Sequence, residues 1–219
     1  MQCPFSTKPR WERRKDARPQ ELLAAALDLF VERGFAATRL EDVAKVAGVS
    51  KGTLYLYFAN KDELFKAVVR ENILPTLGAA EEIIAKFTGS SADLFRALIL
   101  NWWQSIGRTK TSGITKLMMA EATNFPELAR FYHDEVVSRS DAMLTRVLQR
   151  GIDSGEFRAR NDIHTIRAMV APVLMLMIWQ HSFEACQNPP INPDIYLERF
   201  IDLCLHGMLA TPLAAPLTA

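Results

Sequence analysis

Apolar residues along this 219-residue chain recur every three to four positions almost from end to end. The two-residue alternation of a half-buried strand is nearly absent. The pattern predicts an all-α protein of about nine helices. A first helix is expected from about Pro19 to Arg33, burying Leu22, Leu23, Ala26, Leu29 and Phe30, with Gly34 ending it. Thr38 and Glu41 stand at capping-box spacing for a second helix. Ser50 is placed to cap a third, and Asn60 with Glu63 a fourth, running from about Lys61 past Asn72 until Pro75 bends it. Further helices are expected over about 91–107, 114–122, 124–151, 162–186 and 192–209. Thr88-Gly89-Ser90, Ser154-Gly155 and Gln187-Asn188-Pro189-Pro190 punctuate them, and the tail from Pro212 is expected to fray.

Within this pattern, residues 40–58 stand out. Two short helices are joined by a glycine-centred turn at Gly48, with Val43, Ala44 and Ala47 on the inner side and Val49 at the corner. Leu54 and Phe58 face inward at i and i+4, leaving Lys51, Gly52, Thr53, Tyr55 and Tyr57 on or near the outside. This arrangement suits a helix-turn-helix that presses its second helix into the major groove. Gly52 costs a short helix on the order of 1 kcal/mol relative to alanine, a cost that close approach to phosphates or base edges explains. Lys51 supplies charge, Thr53 a hydroxyl and a methyl, and the tyrosines hydroxyls on rigid rings. Lys61 stands at the start of the next helix, where free amides favour an anion.

Net charge is only +1, yet it is polarised. Residues 1–70 carry 13 Lys/Arg against 9 Asp/Glu, a net +4, and residues 71–219 carry 13 against 16, a net −3. The basic end thus coincides with the helix-turn-helix. Its lead-in, with Lys8, Arg10, Arg13, Arg14, Lys15 and Arg18, reads either as an arm along DNA or as a solubilising tail. Cys3, Cys186 and Cys204 are odd in number and lack CxxC spacing, which argues against a disulfide framework. His133, His164, His181 and His206 lack metal spacing, and no cofactor motif occurs. The N-terminus has no apolar signal region, and the apolar run Ala168–Trp179 falls short of the roughly 20 residues a membrane span needs. A cytoplasmic protein with no membrane partner is expected.

The stretch Val49-Ser50-Lys51-Gly52-Thr53-Leu54-Tyr55-Leu56-Tyr57-Phe58, followed by Asn60-Lys61-Asp62-Glu63-Leu64, resembles the N-terminal domain of the TetR family of bacterial transcription regulators. Ala-Leu-Asp-Leu-Phe (26–30) and Glu-Arg-Gly-Phe (32–35) fit that family's first helix. The resemblance covers about Pro19 to Arg70. It implies a homodimer on a roughly palindromic DNA operator, most often as a repressor released by a small molecule. It carries DNA contact to Thr38, Lys51, Gly52, Thr53, Tyr55, Tyr57 and Lys61. Arg39 departs from the family's usual small or apolar residue, adding a DNA contact or staying solvated.

The expected domains are 1–70 for DNA binding and 71–219 for ligand binding and dimerisation. In the latter, Trp102, Trp103, Met118, Met119, Phe125, Phe131, Tyr132, Met143, Met175 and Trp179 are candidates for an adaptable apolar or aromatic pocket. For any single one of them, ordinary core is the favoured reading. Asn101, Gln104, Glu121 and His133 are candidate polar contacts, and Glu121 inside a pocket would favour a cation. Trp102 and Trp103 lie about 100° apart around a helix and cannot face one point equally. The last two long helices are the dimer candidates, through Ile166, Val170, Val173, Met177, Leu197, Phe200, Ile201, Cys204 and Met208. An all-helical enzyme lacks any nucleophile, phosphate-loop or metal motif here. A helical protein adaptor remains the other alternative, separable by the absence of salt-dependent DNA binding.

Overall fold

The computed structural model describes residues 18–186 and 188–210. The basic lead-in with Cys3 and Trp11, the Arg18 side chain and the tail from Pro212 lie outside the described residues. Secondary structure among the described residues is helical, apart from one isolated bridge pairing Phe157 with Leu209. The chain divides into two compact units, Met1–Glu71 and Asn72–Ala219.

The first unit holds α1 (Arg18–Ala37), α2 (Leu40–Val46), α3 (Lys51–Tyr57) and α4 (Lys61–Asn72). Gly34 breaks α1 near its end with φ 82°, a conformation open to glycine at little cost. That turn lets Phe35 fold back beside Phe30. The two rings stack at 5.5 Å between centroids, and Phe65 of α4 meets both edge-on at 5.4 and 5.5 Å. All three are buried, as are Leu22, Ala26, Val43, Leu54 and Leu64 of the same unit. Gly48, at φ 67°, makes the α2–α3 turn.

The helix starts follow the expected caps except at α2. Ser50 Oγ accepts from Thr53 N at 3.0 Å, and Asn60 Oδ1 from Glu63 N at 2.9 Å. The Thr38–Glu41 capping box does not form. Arg39 is the N-cap of α2 and caps nothing with its side chain. Thr38 has turned inward: its hydroxyl donates to the Gly34 carbonyl at 2.7 Å, with the Leu29 carbonyl at 3.1 Å.

The second unit begins where Pro75, in the first turn of α5 (Leu74–Lys86), stops α4 from running on. It continues with α6 (Ser91–Trp102), α7 (Ser112–Glu121), α8 (Pro126–Tyr132), α9 (Ser138–Asp153), α10 (Ile163–Ser182) and α11 (Pro193–Met208). Two π turns interrupt the regular helix. Trp103–Gly107 extends α6, with Arg108 N bonded to Trp103 O at 2.9 Å, and His133–Val137 joins α8 to α9. Helix α10 ends four residues earlier than expected, and Glu184–Cys186 forms a separate 3₁₀ turn. Asp162 and Asn192 cap α10 and α11.

Helix α6 packs between α5, α9 and α11, and α10 packs against α7, α9 and α11. Trp103, Leu176, Met177 and Leu197 form a buried cluster among these helices. The Glu156 carboxylate accepts from Ser91 N at 2.7 Å and Ala92 N at 2.9 Å, satisfying free amides at the start of α6. A bidentate ion pair between Arg139 and Glu81 clips α9 to α5. At 20 residues, α10 passes the length and composition test for a membrane span, longer than the apolar run suggested. Its Ile166, Met169, Val173, Leu176 and Met177 are buried in this bundle, and most of its other residues are not.

Candidate functional site

Helix α3 shows one face to solvent. Lys51, Gly52, Tyr55, Leu56 and Tyr57 are exposed, and Leu54 is fully buried beneath them. Thr53 is half-buried, its hydroxyl 2.8 Å from Ser50 Oγ. Leu56 is 83% exposed, although nothing about its residue type marks it for the surface. A Cβ built on Gly52 meets only Ser50 Oγ, at 3.8 Å. Nothing inside the protein therefore requires glycine there. Arg39 is exposed at the start of α2.

Lys51 pairs with Glu41 of α2 and lies 5.8 Å from the centroid of the Tyr55 ring. Hydrogen bonding and the ammonium charge hold the Glu41 carboxyl below its ordinary value and the Lys51 ammonium above it.

Two residues expected on the DNA face are employed elsewhere. Thr38 is 1% exposed, with its hydroxyl spent on backbone carbonyls. The Lys61 ammonium donates to the carbonyls of Phe35 (2.7 Å), Thr38 (3.0 Å) and Ala36 (3.1 Å), and sits 4.4 Å from the Phe35 ring centroid. Its charge serves the carbonyls where α1 ends and clasps α4 to that turn, so it is not held out to an anion.

The second unit holds a partly open cavity of about 570 Å³, within the range of small-molecule sites. Of the residues expected there, Trp102, Met118, Met119, Tyr132 and Met143 line it, with Asn101 and His133. The others do not. Trp103 is fully buried in the core cluster. Met175 is exposed on the outer side of α10. The Trp179 ring packs edge-on against Tyr196, 6.0 Å away. Glu121 lies off the wall, accepting from Asn124 Nδ2 at 3.0 Å, so its charge gives no reason to expect a cation in the cavity. Phe125, Phe131 and Gln104 also lie off the wall. Sequence reasoning missed Arg167 and Asp141, which both line the cavity and form a bidentate pair at 2.5 and 2.7 Å. Their separation by 26 positions on different helices left no local signal.

The dimer candidates need a similar correction. Ile166, Val173, Met177, Leu197, Phe200, Ile201 and Met208 are buried within their own unit, and Val170 faces the cavity. Cys204 is half-buried, and desolvation pushes its thiol up to about 11. The apolar residues left exposed on these helices are Ile163, Ala168, Ala171 and Met175 of α10, with Ala171 also at the cavity edge, and Ile195 and Leu203 of α11.

A solvent-facing helix-turn-helix and an apolar cavity in separate units of one chain define a ligand-responsive DNA-binding regulator. The family pattern described as "Bacterial regulatory proteins, tetR family" matches residues 22–68, and "Tetracyclin repressor-like, C-terminal domain" matches 86–185. The HTH-type transcriptional repressor KstR2 of Rhodococcus jostii RHA1 is 30% identical over 200 residues, covering 90% of this chain and 94% of that protein. The chain belongs to the TetR family of bacterial transcription regulators. The fatty acid metabolism regulator protein of Bacillus subtilis 168 is 27% identical over 158 residues, covering 71% of this chain and 80% of the relative. A solved structure of FadR from Bacillus subtilis, in complex with stearoyl-CoA, shares the fold with a TM-score of 0.72 at 20% identity, over 86% of this chain and 98% of that one.

Proposed function

We propose that this regulator is a cytoplasmic repressor that grips a roughly palindromic operator as a homodimer and lets go when a small apolar molecule fills its cavity. The exposed α3 face carries the reading. An unforced glycine lies beside Lys51, with Tyr55 and Tyr57 exposed along the same short helix. Residues 1–70 serve DNA binding, and residues 71–219 serve the ligand and the partner subunit. The sign of regulation follows the relatives named as repressors, KstR2 among them.

In this reading Lys51, Gly52, Tyr55 and Tyr57 meet the major groove, Thr53 lies at its margin and Arg39 reaches a phosphate. Thr38 and Lys61 shape the surface from behind. The dimer forms through Ala168, Ala171 and Met175 of α10 with Ile195 and Leu203 of α11, because these are among the apolar groups that the two helices leave uncovered. Two copies are needed because one α3 reads too few base pairs. The ligand favours a conformer in which the two α3 helices no longer match successive grooves, about 34–36 Å apart, and the coupling equals its difference in affinity for the two conformers.

Selection of duplexes from a random pool by the full chain tests the first half of this reading. The expected product is a two-fold symmetric site whose binding weakens steeply with salt. Asymmetric sites, or recovery no better than background, would remove the palindromic dimer from the account.

Glu41 makes a second prediction. Its carboxylate holds Lys51 and repels phosphate from the same face. Glu41→Gln should tighten DNA binding several-fold at low salt and steepen the slope of log K against log salt by about one. Anisotropy titrations across a salt series read both. An unchanged slope would mean that Lys51 does not exchange its partner for phosphate.

A further inference from the structure

The cavity wall also constrains the charge of what fills it, an argument that rests on the ligand-site reading above. Most of the wall is hydrocarbon and thioether, from residues such as Leu98, Met118, Met143 and Met169. The charges on it, Asp141 and Arg167, are spent on one another through two short hydrogen bonds. The Tyr132 hydroxyl and Thr115 Oγ1 are 2.8 Å apart and satisfy each other. Burial pushes Tyr132 up to about 12, so it faces the cavity as a neutral phenol. His133 is exposed at the wall, with Nδ1 against its neighbour Asp134. The Ser140 hydroxyl donates to the Val136 carbonyl at 2.9 Å. Asn101 differs from these, because its half-buried amide lines the cavity with no hydrogen-bond partner among the described residues.

An ion carried past the half-exposed Arg167 into the apolar part of this space loses its water and must find an opposite charge. A carboxylate finds Arg167, whose two terminal nitrogens already hold Asp141, and must sit beside that like charge. An ammonium finds Asp141, already paired, and must sit beside the Arg167 guanidinium. A neutral molecule avoids both conflicts, and an amide that it cuts off from water needs a replacement donor or acceptor.

We propose that the part of the effector held in the cavity is uncharged. It is an apolar body of up to about twenty non-hydrogen atoms, at roughly 30 Å³ for each water-sized group, bearing a hydroxyl or carbonyl that hydrogen-bonds the Asn101 amide.

Calorimetric titration of the full chain tests this with probes of one chain length: 1-decanol, 2-decanone, decanoate and decylammonium at pH 7, with propylbenzene as a probe that makes no hydrogen bond. The alcohol and the ketone should bind at least about tenfold more tightly than either ion. Asn101→Leu should weaken the alcohol and the ketone about five- to tenfold while sparing propylbenzene. Decanoate or decylammonium binding as tightly as decanol overturns the neutral-ligand inference and leaves the cavity a ligand site. So does an Asn101→Leu protein that keeps the wild-type ratio of decanol to propylbenzene. Because the charge series uses the unaltered protein, a poorly folding variant does not shield the proposal. If operator DNA binds but no probe of any charge does, the ligand-site reading itself fails and takes this inference with it.

Discussion

Replacing Gly52 by leucine is expected to leave the first unit as stable as before or more stable, and to abolish specific operator binding. Leucine is a far better helix former than glycine, by up to about 1 kcal/mol in a helix interior. The new Cβ meets nothing closer than Ser50 Oγ at 3.8 Å, and the position is exposed, so the side chain has solvent to occupy. The same side chain stands on the face that meets the duplex in the proposed complex. Holding α3 away from the groove removes base contacts worth about 1–3 kcal/mol each, so operator affinity should fall by on the order of 100-fold or more. Thermal melting and anisotropy on one preparation separate the two effects. Undiminished operator binding by the leucine variant would show that α3 docks by another face.

The second large effect belongs to Phe65. Its ring is fully buried against Phe30 and Phe35, at centroid distances of 5.4 and 5.5 Å. Phe65→Ala removes a buried ring from a unit with few others, at a cost of about 3–5 kcal/mol. A unit this small has only a marginal reserve. Melting followed by circular dichroism should show an early transition assigned to the first unit, and operator binding should be lost at temperatures the wild type tolerates. A variant that melts like the wild type would mean that the three rings do not hold this unit together.

The sequence announced the helix-turn-helix clearly because its signals are local. Ser50 and Asn60 each cap an amide three residues on, Gly48 sits where the turn needs positive φ, and Pro75 stops a helix from its own position. Thr38 and Lys61 were harder to place. Their residue types suit DNA contact as well as they suit backbone carbonyls, and only the tertiary fold brings the carbonyls of Phe35, Ala36 and Thr38 within reach of the Lys61 ammonium. In the second unit, residue type misled more often. Helix α10 is apolar on most sides, and periodicity cannot tell a side covered by its own bundle from one awaiting a partner. Met177 and Met175, two positions apart on that helix, end up buried and exposed respectively. The Arg167–Asp141 pair and the unpartnered Asn101 amide depend on which helices become neighbours, which no spacing along the chain reveals.

The π turns add a constraint of another kind. Trp102 and Ile106 reach the cavity from the first of them and its border, and Tyr132, His133, Val136 and Val137 from the second. Each widened loop takes up one residue beyond the regular helical count, and one residue corresponds to about 100° of rotation. Losing a single position from either loop would restore the regular helix and keep everything beyond it in register, changing only which side chains the loop itself turns toward the hollow. In this protein insertions and deletions, and not substitutions alone, therefore offer descendants a route to a new chemical signal.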